Sequence, residues 1–252
     1  INKDHPQVIE IWNIVFIEYN RKENNILESL PKKHVDTGMG FERLCMVLQE
    51  KTSTYDTDIF FNLIKEVSSI SKVNYGDNDT TDIAIRVIVD HIRAIVFAIS
   101  DGQLPSNTGA GYVIRRILRR AVRYAYTYLD LKQPFLYTLT DLLSSQFQDI
   151  FPEVNAQKSM ISDVIKEEEN TFLKTLGKGL SLMNKFISKL NADEQKMDGK
   201  VVFELYDTYG FPPDLTSLIL KEKNLSYNVK EFVKCMKKQK DRSRSAAEMI
   251  LG

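Results

Sequence analysis

The sequence predicts an α+β protein that is mostly helical. Three observations carry that reading. Breakers are few, with 11 Gly and 7 Pro in 252 residues, so long helices meet little interruption. Residues 1–50 concentrate β-branched and aromatic side chains and end in a glycine turn before a helical pattern. Beyond them, apolar residues recur at steps of three and four, most clearly from Ile161 to Leu190.

Taken in order, Ile9 to Tyr19 has the composition of a central, buried strand. A polar turn at Lys22 to Asn25 leads to Leu27–Pro31 and a short segment, His34-Val35-Asp36. Gly38-Met39-Gly40 then turns the chain into a helix from Phe41 to Gln49. Thr57 or Asp56 can cap a second helix running to about Ile70. A third starts near Asp82 and stops at Asp101-Gly102. After a loop with Pro105, Asn107, Gly109 and Gly111, a helix covers Tyr112 to Tyr128. Further helices are read at Phe135–Gln148 and Ala156–Leu190, the latter weakened by Gly177 and Gly179, with Glu168 its one polar interruption. Lys200–Tyr206 is followed by the turn Gly210-Phe211-Pro212-Pro213, with Asp214 capping the next helix. Asn228 with Glu231 resembles a capping box for the last one. The texture changes near Gln49–Lys51, which divides the chain into residues 1–50 and 51–252.

Composition excludes several classes. No apolar run approaches the ~18 residues of a membrane span; the longest, Ala94–Ile99, is far shorter. Lys+Arg and Asp+Glu are both 34, so a globally basic coat for nucleic acid is out, although a local basic patch is not. Cys45 and Cys235 form no CxxC pair, and His5, His34 and His91 show no HxxxH spacing. Neither a disulfide framework nor a metal site is legible, which fits a reducing cytoplasm. The start, Ile1-Asn2-Lys3-Asp4-His5, is charged, has no leader-like apolar region and lacks Met. The expectation is a chain that begins inside a longer protein.

Two segments carry chemistry. In Asp36-Thr37-Gly38-Met39-Gly40-Phe41-Glu42-Arg43 a strand ends at a carboxylate, and two glycines allow a ligand close to the backbone. Arg43 lies about one turn into the helix, where its planar fork can take a phosphate or pair with a carboxylate. In the helix after Gly111, Arg115, Arg116, Arg119, Arg120 and Arg123 occur with no acid between Gly102 and Leu129. Their phases span an arc of about 140°, opposite Ile114, Ile117, Leu118, Ala121 and Val122. Such a face needs anions: either internal acids such as Glu167 to Glu169, or an RNA backbone. Asn107, in the loop beside it, is a turn former that also carries both a donor and an acceptor. Asp207 sits as a carboxylate without a partner at a helix C-terminus, against the helix dipole. The aromatics around it suit a packed corner. Asp90-His91-Ile92-Arg93 reads as a structural polar network, and the lysines from Lys234 to Arg244 as a solvated helix face.

Val35-Asp36-Thr37-Gly38-Met39-Gly40-Phe41-Glu42-Arg43-Leu44 resembles motif 3 of class II aminoacyl-tRNA synthetases, in the form found in the alanyl-tRNA synthetase family. Glu10-Ile11-Trp12-Asn13, Asp90-His91-Ile92-Arg93, Pro105-Ser106-Asn107, Gly111-Tyr112-Val113-Ile114-Arg115-Arg116 and Leu205-Tyr206-Asp207-Thr208-Tyr209-Gly210-Phe211-Pro212 resemble the same family, in order, over nearly the whole chain. The resemblance implies that residues 1–50 are the C-terminal piece of an antiparallel-sheet catalytic domain and residues 51–252 a helical tRNA-recognition domain. It implies ATP binding by Gly38, Gly40 and Arg43, and an alanine pocket from Asn13, Val15 and Asp36, with Trp12 turned into the core. It implies recognition of a G·U pair in the tRNA(Ala) acceptor stem by Asn107 and Asp207, with the arginine row on neighbouring phosphates. ATP and Mg²⁺ are the cofactors expected of such an enzyme; no metal is assigned to these residues.

The family's motifs 1 and 2 and its zinc-bearing editing domain find no match in these 252 residues. A sheet cut in this way exposes an edge prone to self-association. The purified 252-residue chain is therefore expected to give no alanine-dependent pyrophosphate exchange; measurable exchange above background would overturn this reading.

Overall fold

A computed structural model describes residues 5, 8–189 and 195–251, with side chains described as far as residue 242. Leu190, the expected end of the long helix, lies outside the described residues, as does the start Ile1–Asp4. The chain divides into two compact units, Ile1–Asn62 and Leu63–Gly252.

The first unit is built on a β-hairpin. Strand β1 (Trp12–Arg21) runs antiparallel to β2 (Leu27–Met39). Asn24 and Asn25 turn the chain with φ of 65° and 62°, a region that asparagine tolerates better than most residues. The β2 segment is one continuous strand where two short ones are expected. The register jumps from Ile17↔His34 to Tyr19↔Ser29, which places Pro31 in a bulge, where its missing N–H is no loss. Helix α1 (Phe41–Leu48) follows directly, and α2 (Asp58–Ser71) begins after a 3-10 turn at Thr54–Asp56.

The buried-strand expectation does not hold for this hairpin. Trp12 is 61% exposed, Ile14 60% and Phe16 79%. A two-stranded ribbon has two faces, and among the described residues no second layer covers either. Trp12 is consequently not a core residue: its indole N–H donates to the Thr37 hydroxyl across the ribbon.

The second unit is helical and also holds a two-residue parallel strand pair, β3 (Lys196–Met197) and β4 (Ser226–Tyr227). Helix α3 (Asp79–Ser100) is its centre, with Ile85, Ile88, Ile92, Ile95 and Ile99 fully buried. Its N-cap is Asn78, whose Oδ1 accepts from the Thr80 and Thr81 N–H groups. Helix α4 (Gly109–Tyr128) packs on α3 and on α7 (Lys158–Ile187). The short helices α5 (Leu139–Phe147) and α6 (Pro152–Ala156) precede α7, with a break at Gln157. Helices α8 (Gly199–Asp207), α9 (Pro213–Glu222) and α10 (Val229–Leu251) complete the unit, α10 packing on α8. No helix of the described residues is long and apolar enough to cross a membrane.

Two cap expectations need correcting. Pro212 is the N-cap of α9, so Asp214 lies inside the first turn. Half of the capping box forms: Asn228 Oδ1 accepts from the Glu231 N–H at 3.2 Å, but Glu231 Oε2 serves the N–H of Gly199 instead, at 3.0 Å.

Gly177 and Gly179 do not break α7; they let it be approached closely. A Cβ on Gly179 would lie 2.4 Å from the Phe211 ring, and one on Gly177 would lie 2.8 Å from the Tyr126 hydroxyl. Glu169, which the periodicity did not single out, is 1% exposed. Its carboxylate accepts the N–H groups of Phe135, Leu136 and Tyr137 at 3.1, 3.0 and 3.2 Å. It thereby satisfies the donors that open the 3-10 turn Leu136–Thr138.

Burial pushes the Glu169 carboxyl up to about 7 from an ordinary 4.5, against the pull of those three N–H groups. The folded state then holds a proton that the unfolded state releases, so this stabilisation is full below about pH 4.5 and is lost as pH rises through about 7. The stability difference between the native chain and Glu169→Gln, measured by urea unfolding, is expected to shrink from pH 4.5 to 7 and then level off. A difference independent of pH would refute it. Glu169→Ala, which orphans three N–H groups, is expected to destabilise the chain by about 2–4 kcal/mol.

Candidate functional site

The hairpin register decides which side chains share a face, because directly opposed residues of an antiparallel pair point the same way. Val15 lies opposite Asp36, and Asn13 opposite Gly38. All three expected alanine-pocket residues therefore line one face with the first glycine. Asp36 is exposed, and its Oδ1 accepts the Thr37 N–H at 2.8 Å. Asn13 Nδ2 donates to Glu10 at 2.9 Å. At the end of this face Arg43 Nη1 donates to the Glu10 carbonyl at 2.7 Å. The glycines keep the surface open: a Cβ on Gly38 would come within 3.3 Å of Asn13 Oδ1, and one on Gly40 within 3.2 Å of Arg43 Cδ. One guanidinium and one carboxylate on a face of bare backbone suit a ligand with an anionic and a cationic end.

In the helical unit, the loop before α4 and the turn after α8 meet. Asn107, Asp207, Arg115 and Arg119 line one cleft of about 320 Å³ with Tyr112, Tyr206 and Gln239. Gly111 makes the loop possible, since a Cβ there would lie 2.2 Å from the Leu104 carbonyl. Gly210, at φ 65°, makes the turn. The turn is anchored on α7: Phe211 is fully buried, its ring 5.7 Å from that of Phe172. Thr175 Oγ1 donates to the Tyr209 carbonyl at 2.9 Å. The corner of aromatics is thus a packing device, and Asp207 stands exposed at its rim. Asp207 is not without a partner, however: Gln239 of α10 donates to its Oδ1.

The arginine row divides. Arg115 donates to Asn107 Oδ1 and, at 2.5 Å, to Glu168. Arg119 donates to the Gly210 carbonyl and lies 3.6 Å from the second Glu168 oxygen, its guanidinium 5.1 Å from the Phe172 ring centre. Burial lowers the Arg119 pKa, and Glu168 offsets part of that. Arg116 pairs with Asp214 at 3.3 Å, both about half exposed. Arg120 lines a neighbouring hollow with Asp214 and Lys221. Arg123 must be removed from the RNA-facing set. It is 2% exposed, and its two terminal nitrogens donate to the two Glu222 oxygens at 2.9 and 2.6 Å. Burial lowers its pKa, but the Glu222 hydrogen bond and charge outweigh that and leave it raised.

Sequence reasoning missed Glu222, Gln239 and Tyr112, and saw Glu168 only as an interruption or a distant acid. Glu222 and Gln239 lie on other helices, with no spacing relation to Arg123 and Asp207, the groups they serve, whereas Tyr112 lies on α4 itself, one turn before Arg115 and Arg116. His91 Nδ1 lies 3.2 Å from Asp90 Oδ2.

Comparison with known proteins supplies the context. A family model for class II tRNA synthetases (A) matches residues 1–250. The alanine–tRNA ligase of Christiangramia forsetii is 55% identical over 252 residues, covering 100% of this chain and 29% of the relative. Those of Flavobacterium psychrophilum and Bacteroides fragilis are 55% and 56% identical over 259 and 253 residues, covering 99% and 100% of this chain and again 29% of each relative. The chain thus spans less than a third of these proteins' length. With the family match running end to end through both sites, this chain belongs to the class II tRNA synthetase family, among relatives that are alanine–tRNA ligases.

Proposed function

We propose that this chain supplies part of the adenylate site and the acceptor-stem recognition region of an alanine–tRNA ligase. The observation that carries this reading is the convergence of Asn107 and Asp207, far apart in sequence, on one cleft beside Arg115 and Arg119. Residues 1–50 serve aminoacylation and residues 51–252 serve the tRNA.

On the hairpin face, Asp36 takes the ammonium of alanine between Asn13 and Val15, and Arg43 holds ATP phosphate over Gly38 and Gly40. Formation of alanyl-adenylate joins the alanine carboxylate to the α-phosphorus and releases pyrophosphate. That step depends on positioning and charge stabilisation, which a fixed carboxylate and guanidinium provide. Class II synthetases generally use ATP with Mg²⁺. The ion would arrive on the nucleotide's phosphates; among the described residues no three His, Cys, Asp or Glu side chains converge.

In the cleft, Asn107 offers a donor and Asp207 an acceptor. An A-form minor groove is wide and shallow and presents base edges to such groups. In a G·U wobble the guanine 2-amino group lacks the partner it has in a G·C pair, so a carboxylate can claim it. Arg116 and Arg120 lie beside this site for backbone phosphates, which position the RNA without specifying sequence. The reading places the protein in the cytoplasm, with tRNA(Ala), alanine and ATP as partners.

Titration with two acceptor-stem hairpins, differing only in G·U against G·C, tests it. The G·U hairpin is expected to bind about tenfold tighter or better, and Asn107→Ala or Asp207→Ala to erase that preference. Equal binding to both hairpins would refute it. Arg116→Ala with Arg120→Ala is expected to weaken both hairpins alike and to reduce the salt slope by about one to two. Unchanged affinity with a lower melting temperature would make these arginines purely internal partners and the helical unit a scaffold.

A further inference from the structure

Both candidate readers are exposed, Asn107 in the loop before α4 and Asp207 at the C-terminal end of α8, yet each already has one polar atom engaged. Asn107 alone could present either its oxygen or its amide NH₂, because the two ends of the group have nearly the same shape. Arg115 removes that choice. A guanidinium is donor only, so its contact with Asn107 fixes the oxygen inward and leaves the NH₂ for a ligand. Gln239 does the converse for Asp207: its amide holds Oδ1 and leaves the second carboxylate oxygen as an acceptor.

Glu168 connects the two sides. Its Oε1 holds Arg115 at 2.5 Å and its Oε2 lies 3.6 Å from Arg119. Arg119 in turn donates to the carbonyl of Gly210, in the turn that follows Asp207. The sequence of contacts Asn107–Arg115–Glu168–Arg119–Gly210 therefore runs from one loop to the other through a single α7 carboxylate. Glu168 and the two arginines are largely enclosed, with side-chain exposures of 13% for Glu168, 20% for Arg115 and 13% for Arg119. In that setting charge-assisted hydrogen bonds are stronger and more directional than on the open surface.

We propose that Glu168 is the positioning residue of the cleft: by holding Arg115 against Asn107 and Arg119 against Gly210, it fixes the loop that carries the donor and the turn beside the acceptor on the two sides of one cleft. Arg115 is then an orienting group for Asn107 and not a phosphate contact. This inference rests on the acceptor-stem reading above for its ligand, but its geometry is independent of that reading.

The test uses the whole 252-residue chain with Glu168→Gln, which keeps the shape and removes the charge, and Arg115→Lys, which keeps the charge and removes the fork. Glu168→Gln is expected to reduce the preference for the G·U hairpin about tenfold, the value of one good base contact, with the salt slope and circular dichroism unchanged. Arg115→Lys should do the same, and Asn107→Ala should add nothing to Glu168→Gln. A Glu168→Gln chain that keeps its preference, while Asn107→Ala loses it, overturns the proposal and leaves the acceptor-stem reading standing. A second readout needs no RNA. The Asn107 side-chain amide signals in a ¹H–¹⁵N spectrum, assigned through Asn107→Ala, should shift in both variants. If they do not move in Glu168→Gln, the connection through Glu168 does not exist and the proposal fails, whatever the hairpins do. If they move but the native chain shows no preference between hairpins, the positioning stands and the acceptor-stem reading is the part that fails.

Discussion

The helical unit is organised around one requirement: α4 must bury one face in a core while carrying five arginines on the other. A guanidinium stays protonated even when enclosed, so each arginine that the packing encloses needs an anion or a carbonyl supplied from elsewhere. Glu168 on α7 serves Arg115 and Arg119, Glu222 on α9 serves Arg123, and Asp214 on α9 serves Arg116. These contacts determine where α7 and α9 carry their acids. Removing one partner would leave an enclosed charge uncompensated, which is costlier than the pair is worth by itself.

The same contacts place the loops. Because Arg115 and Arg119 also reach Asn107 and Gly210, satisfying the charges of α4 draws the Asn107 loop and the turn after α8 to one cleft. The small residues serve this arrangement. Gly111 admits the Leu104 carbonyl, and Gly179 admits the Phe211 ring that anchors the turn. A glycine weakens a helix considered alone by about 1 kcal/mol. Here it permits an approach that no side chain would allow.

The hairpin unit follows a different logic. Its candidate ligand face is set by pairing alone: opposite residues of β1 and β2 share a side, so Asn13, Val15, Asp36 and Gly38 come together without a core beneath them. Side chains such as Trp12 and Phe16 have the apolar character of a buried strand, and the described residues leave them exposed. Strand composition reports suitability for burial; it does not supply the layer that buries.

The sequence by itself determined the class of the fold, the position of each main helix and the residue types at both sites. Those properties are written locally, in periodicity, in glycine placement and in runs of like charge. It also carried the family, through motifs spaced along the whole chain. Tertiary structure alone decided which arginines face outward and which are consumed internally. It also gave Asp207 a partner in Gln239 and made Glu169, not its neighbour Glu168, the fully buried acid of α7. The reason is physical: an ion pair or a buried hydrogen bond depends on distances between segments remote in sequence, and no local pattern encodes which remote group arrives.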